Sequence, residues 1–177
     1  MNTAIIKVKV RRVNGAYALI TNRGILTNEV VFVLQGEFTD HPSKYSIQTG
    51  EGRHLEPLPD DLSDVRSLIR FFNHSCDPST FLNLEDLTVR ALRDLEPGEE
   101  VTFNYNTTEY DMADPFKCHC NAGNCVGYIR GFKYLFEQSD GTHPSTHVWP
   151  DDHELATCSR LKPNNPIYVE GVNHGNW

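Results

Sequence analysis

Two stretches of the chain carry side chains able to do chemistry. The first is Asn73-His74-Ser75-Cys76-Asp77-Pro78-Ser79, "NHSCDPS", which sets an amide, an imidazole and a thiol close together. Such a set suits a loop cap, a metal corner, a nucleophile with its base, or one wall of a cofactor cleft. The second is "CHCNAGNC", where Cys118, Cys120 and Cys125 follow a C-x-C-x4-C spacing. Zinc takes tetrahedral thiolate and imidazole ligands, and a turn containing Gly123 can fold three sulfurs toward one point. Ligands this close in sequence leave a fourth to be recruited from elsewhere, and Cys76, Cys158 and His119 are the candidates. The chain has 5 cysteines, an odd count, and its N-terminus lacks the apolar run and cleavage site of a secretion signal. Metal binding is therefore expected ahead of disulfides.

The elements that must position these residues are mostly strands. β-type runs fall at Ile5–Val10, Tyr17–Thr21, Val30–Leu34, Tyr45–Gln48, Thr88–Leu92 and Val101–Tyr105. Turn formers separate them at Asn14-Gly15, Arg23-Gly24, Gly50-Glu51-Gly52 and Pro97-Gly98, the last fitting the central pair of a type II turn. Helical signal is confined to Asp64–Phe72, with Ser63 as the expected N-cap, and to a turn or two over Gly131–Gln138. The segments "RGILTNEVVF" and "RDLEPGEEVTF" echo each other, each a turn feeding a strand.

With 177 residues, 38% hydrophobic and 23% charged, the chain fits one globular domain. The net charge of -8 speaks against non-specific nucleic-acid binding, which needs a basic face, and suits a basic peptide partner. No stretch approaches the length of a membrane span. A cytoplasmic location is expected, or a nuclear one in a eukaryote.

Taken together, the motifs resemble a SET domain followed by a post-SET zinc segment. "RFFNHSCDPS" resembles the family's R-F-x-N-H-S-C-x-P-N, and "VRALRDLEPGEEVTFNY" resembles A-x-R-D-I-x-x-G-E-E-L-T-F-D-Y. "CHCNAGNCVGYIRG" resembles the post-SET C-x-C-x4-C-x-G; upstream, "RGILTNEVVFVLQGEF" and "KYSIQ" resemble further family strands. The match runs over about residues 12 to 135, in family order. It implies a mostly β (α+β) SET fold of small sheets with a C-terminal pseudoknot, the SET domain over 1–115. A four-cysteine zinc cap would follow over 116–135, then an irregular extension over 136–177.

The implied activity is methyl transfer from S-adenosylmethionine to a lysine side chain of a protein or peptide, without nucleic-acid or membrane partners. Ala16, Tyr17, Ala18, Tyr45, Arg70, Phe71, Asn73 and His74 would line the cofactor cleft. Cys76 would join Cys118, Cys120 and Cys125 around one structural zinc. Tyr105 would align amine and methyl, with Phe103 beside it in the substrate channel. A Phe there, lacking a hydroxyl to hold water, implies room for di- or trimethylation. An apolar channel beside a sulfonium disfavours the ammonium by desolvation and by like charge, so no strong general base is required. A biosynthetic enzyme with a small-molecule substrate and a catalytically impaired binding module are the alternatives. The sequence departs from the family pattern at Ala16 and Ala18, where glycines are usual, and at Leu34, Ser79 and Asn104.

Overall fold

A computed structural model of the chain describes residues 6–58 and 61–135. The expected C-terminal extension over 136–177, with Cys158, lies outside the described residues. In chain order the strands are β1 (Val8–Val13), β2 (Ala16–Thr21), β3 (Val30–Val33), β4 (Glu37–Thr39), β5 (Ile47–Gly50) and β6 (Arg53–Glu56). They continue with β7 (Asn73–His74), β8 (Thr80–Asn83), β9 (Thr88–Ala91), β10 (Thr102–Phe103), β11 (Phe116–Lys117) and β12 (Tyr128–Ile129). They form small separate sheets in the orders β1-β2, β3-β9-β8, β4-β6-β5, β7-β10 and β11-β12. Strands β4, β6, β7, β8, β11 and β12 fall outside the expected runs. They are short and carry polar residues, and their partners across the sheet stabilise them more than their own patterning does.

The β1-β2 hairpin turns on Asn14-Gly15, both at positive φ (50° and 90°), with Val13 facing Ala16 across the two-residue loop. This is the mirror-image turn whose twist matches that of the flanking strands. Ala16 and Ala18 therefore lie on a paired strand, and neither is in the left-handed region. Asn14 and Gly15 carry the positive φ, and alanine is accommodated where the family pattern has glycine.

The two echoing segments prove to be partners. Ile25 and Leu95 exchange backbone hydrogen bonds, N–H to C=O at 3.0 and 2.8 Å. Each then enters an equivalent turn. Glu29 N–H bonds Leu26 C=O as Glu99 N–H bonds Glu96 C=O, at 3.0 and 3.2 Å. Asn28 (φ 68°) and Gly98 (φ 90°) occupy the matching left-handed position, as a type II turn requires. Each turn's glutamate accepts from a backbone N–H three residues earlier, Leu26 at 2.9 Å and Glu96 at 3.1 Å. Arg23 pairs with Glu29, and Arg93 with Glu99.

The expected helix is a 3-10 turn over Val65–Phe71, and its N-cap is Asp64 rather than Ser63. The Asp64 carboxylate accepts from Arg66 N–H at 2.8 Å and also grips the Arg66 guanidinium. Ser63 instead donates its own N–H and hydroxyl to Asp61. Of the C-terminal helical signal over Gly131–Gln138, Phe132–Tyr134 form a 3-10 turn, and 136–138 lie outside the described residues.

The core gathers Leu19, Val31, Phe32, Leu55, Phe72, Val89, Val101 and Phe103, all buried. Strands β7 and β10, far apart in sequence, pair in parallel with Asn73 against Thr102 and His74 against Phe103. Segments 70–78 and 101–105 thus lie side by side. Replacing Ala16 and Ala18 together by glycine should lower stability by about 1–2 kcal/mol, the usual cost of two strand glycines. A urea midpoint unchanged from wild type would contradict the strand placement.

Candidate active site and metal centre

Phe72 ends the 3-10 turn and delivers the chain into β7, while β10 delivers Phe103 and then Tyr105. Their rings form a continuous stack. Phe32 meets Phe72 at 5.5 Å between centroids, Phe72 meets Phe103 at 4.4 Å, and Phe103 meets Tyr105 at 4.6 Å. Tyr105 opens a short 3-10 turn capped by Asn104, whose side chain accepts from Asn106 N–H at 3.1 Å. An amide caps this turn as a carboxylate would, so Asn104 keeps the local geometry. The Tyr105 hydroxyl donates to Phe72 C=O at 2.7 Å. Burial, with Glu109 and Glu100 adding to it, pushes the phenol well above its usual range, so it remains protonated.

A cleft opens beside these rings, lined by Tyr45, Ile47, Arg70, Phe103, Tyr105 and Glu109 among others. The Arg70 guanidinium lies over the Tyr45 ring at 4.2 Å. Around the corner, Asn73 donates from its amide to Tyr17 C=O at 3.0 Å and to the Glu100 carboxylate at 2.9 Å. The Tyr17 ring, 45% exposed, meets Phe71 edge-on at 5.6 Å. An accessible Tyr17 ring, backed by the buried Phe71 and set beside an amide and a carboxylate, fits a ligand with an aromatic base and a charged amino group, as S-adenosylmethionine has. Tyr17, Phe71 and Asn73 thus come together, and Tyr45 and Arg70 face the cleft with Phe103 and Tyr105. Ala18 is buried on β2, whereas Ala16 is that strand's exposed first residue. Leu34, another departure from the family pattern, is buried in the core. Ser79 binds the pairing region, its hydroxyl donating to Glu100 C=O at 3.1 Å and accepting from Thr102 N–H at 2.9 Å. Glu100 lay within a family-like motif but was given no role, and Glu109 had no signal in the sequence, because it reads as one more charge in a polar turn.

His74 joins the cleft to the cysteines. Its Nδ1 accepts from Tyr105 N–H at 3.1 Å, so Nε2 is left facing Cys76 Sγ at 3.3 Å. With Nδ1 accepting, the neutral ring carries its proton on Nε2 and donates it toward the sulfur. Burial lowers the imidazole pKa to about 4, which keeps this neutral form.

Cys76, Cys118, Cys120 and Cys125 place their sulfurs within 4.8 Å of one another. The Cys76 and Cys118 sulfurs are 4.0 Å apart, near the ~3.8 Å that a tetrahedral set of ~2.3 Å zinc–sulfur bonds gives. Backbone N–H groups of Cys120 and Gly127 point at Cys118 and Cys125, each at 3.4 Å, as donors to thiolates do. Asn124 closes the loop by donating to Cys76 C=O at 2.9 Å. Burial pushes the Cys76 thiol up strongly and Cys118 to about 11. A cation held among them would reverse that balance. The four thiols fit zinc, and His119 is not part of the cluster.

Gly131 seats the end of this segment. At φ 116° it brings its backbone against Tyr110, where an added Cβ would lie 2.5 Å from the carbonyl oxygen. Its N–H donates to the buried Asn106 side chain at 3.1 Å.

Residues 16–106 match the family model of the SET domain. The chain belongs to the SET domain family, and its fold is the SET fold. Among curated relatives, it is 41% identical over 144 residues to a histone-lysine N-methyltransferase, H3 lysine-36 specific, of Saccharomyces cerevisiae, over 72% of this chain and 19% of that protein. It is 41% identical over 88 residues to the methyltransferase flvH of Aspergillus flavus, over 49% of this chain and 45% of that one. The chain thus spans less than half the length of these curated relatives. A solved structure of KRYPTONITE in complex with mCHG DNA and SAH superposes with a TM-score of 0.54 at 19% identity, over 68% of this chain and 28% of that one. No helix among the described residues is long and apolar enough to cross a membrane.

The metal arrangement has a direct check. Wild-type protein should hold one zinc per chain. Cys76→Ser should lose it and loosen 116–130 in hydrogen exchange, because that segment's few apolar residues cannot order it unaided. Cys158→Ser should keep the metal; zinc lost from that variant and retained by Cys76→Ser would reverse the assignment.

Proposed function

We propose that the chain is an S-adenosylmethionine-dependent N-methyltransferase acting on a lysine side chain of a protein or peptide. The observation that carries this reading is the Tyr105 hydroxyl beside the Phe103 ring, at a cleft next to the β7 strand that carries Asn73. The names of the H3 lysine-36-specific relatives support a lysine substrate, and the net charge of -8 suits a basic peptide and disfavours direct nucleic-acid contact. Histone substrates would favour a nuclear over a cytoplasmic site of action.

In this reading Tyr17, Ala18, Phe71, Asn73 and His74 hold the cofactor, with Ala16 and the Tyr45–Arg70 pair at its margins. Cys76, Cys118, Cys120 and Cys125 hold one structural zinc, and the post-SET segment 116–135 closes over the cofactor loop. When bound, S-adenosylmethionine supplies an electrophilic methyl group on a positively charged sulfur. Tyr105, held protonated and aimed by Phe72 C=O, fixes the direction of the amine lone pair. Phe103 presents no hydroxyl to retain a water, which leaves room for a di- or trimethylated product. The buried cleft excludes bulk water and so favours the neutral amine.

The test is calorimetric titration with S-adenosylmethionine and S-adenosylhomocysteine, followed by turnover on a peptide spanning histone H3 lysine 36. Heat with both and methylated peptide are expected, and the absence of heat with either would defeat the reading. Transfer to free lysine or another small amine with no peptide product would favour the biosynthetic alternative. Tyr105→Phe should cut turnover by at least ~10²-fold while leaving cofactor affinity nearly unchanged, because its contact is made in the reacting complex. A variant with near-normal turnover would remove Tyr105 from that role.

A further inference from the structure

We propose that Glu109 is the cation-binding group of the cleft, its open carboxylate oxygen receiving the protonated amine of the substrate and taking a proton from it. The inference rests on the amine-methylating reading above and adds a residue to it. Glu109 is 7% exposed and lines the same cleft as Phe103 and Tyr105. Its backbone is fixed on both sides: its N–H donates to Tyr105 C=O at 2.9 Å, and its C=O accepts from Phe132 N–H at 2.7 Å. Oε1 accepts from Gln48 N–H at 2.8 Å and from the Thr108 hydroxyl at 3.4 Å. Gln48 reciprocates, its own side-chain oxygen accepting from Tyr110 N–H at 2.9 Å.

The second oxygen is different. Among the described residues no donor reaches Oε2 and no cation pairs with the carboxylate. Oε2 is not sealed from solvent, so a cation entering the cleft can reach it by displacing water. A purely structural clamp would need only Oε1. Burial raises the Glu109 pKa to about 7 against the opposing pull of the Gln48 and Thr108 bonds. The other charged groups on the cleft wall are Lys44, Arg70 and Asp114, with Tyr45 and Tyr105 as its remaining titratable ones. Lys44 and Arg70 lie over the Tyr45 ring, and Lys133, next to Phe132, pairs with Asp111.

The step is a simple proton transfer. An ammonium N–H bond breaks, an O–H bond forms at Oε2, and the bonding pair remains on nitrogen as the lone pair that attacks. In water the amine, at ~10.4, would keep its proton against an acid near 7. Desolvation in the cleft lowers the amine's affinity for the proton and narrows that gap.

The probe is n-butylammonium, which matches the end of a lysine side chain, with 1-pentanol as its neutral counterpart. Both are titrated into the full chain without cofactor at pH 6 and pH 8. Butylammonium should bind about tenfold more tightly at pH 8, following ionisation of a group near 7, while pentanol binding should not change with pH. Glu109→Gln keeps an oxygen to accept from Gln48 N–H and should abolish the pH dependence, with at least about tenfold weaker binding at pH 8. Equal butylammonium affinity at the two pH values in wild type overturns the proposal without any variant. A folded Glu109→Gln protein with the wild-type profile also overturns it. Because no cofactor is present, failure of S-adenosylmethionine to bind would defeat the methyltransferase reading and leave this result standing on its own.

Discussion

The parallel contact between β7 and β10 is only two residues long on each strand, yet the site is built on it. It sets Asn73 and His74 beside Thr102 and Phe103, and continues through Ser75 N–H to Phe103 C=O at 3.0 Å. So short a ladder cannot hold two distant segments by backbone bonds alone, each worth about 1 kcal/mol net. Its neighbours reinforce it. The Thr80 hydroxyl donates to Thr102 C=O at 2.8 Å, and the buried rings of Phe72 and Phe103 seal one side. The Tyr105 hydroxyl and the His74 ring then each cross the junction once more. Asn73, the Phe103–Tyr105 wall of the cleft and the cysteine cluster are consequently parts of one packed unit, not three adjoining sites.

That unit explains which features were readable in advance. Asn73, His74, Cys76, Phe103 and Tyr105 carry their meaning in short motifs, so their grouping followed once the family order was seen. The Asn14-Gly15 and Pro97-Gly98 turns were equally legible, because positive φ restricts residue choice. Strands β4, β6 and β8 were not, since short polar strands leave no periodic trace of the partner that holds them. The cap moved from Ser63 to Asp64 because Arg66 draws the Asp64 carboxylate across the first turn, an interaction that cap preferences alone do not register. At Ala16 and Ala18 the family pattern has glycine, and the hairpin register, with negative φ at both, accommodates alanine.

Glu109 illustrates the opposite limit. In "NTTEYD" it is indistinguishable from a solvated turn residue, and only the folding of Gln48 and Phe132 against it makes it a buried acid. The reciprocal bonds between Gln48 and the Glu109–Tyr110 segment tie β5 to the chain just after Tyr105. Gly131 repeats the tie from the other side, its N–H on Asn106 and its bare Cα against Tyr110. The turn after Tyr105 is therefore clamped by β5 on one side and by the C-terminal end of the described chain on the other.

This clamping bears on how a small site can favour a neutral amine. A general base need not be strong if the surroundings already disfavour the ammonium, which is why none was sought in the sequence. The cleft is not uniformly hostile to cations, however, because a carboxylate stands in its wall. A wholly apolar channel would oppose entry of a protonated side chain as firmly as it favours the neutral form. One partly satisfied acid near neutrality resolves that conflict: it attracts the ammonium when ionised and becomes uncharged on accepting its proton. On the same reading the Tyr105 phenol, kept protonated by burial and by Glu109 and Glu100, would stay available to orient the nitrogen. On the proposed function, entry, neutralisation and alignment of the amine would be separate tasks, assigned to groups that the β7-β10 contact and the Gln48 clamp hold within one wall.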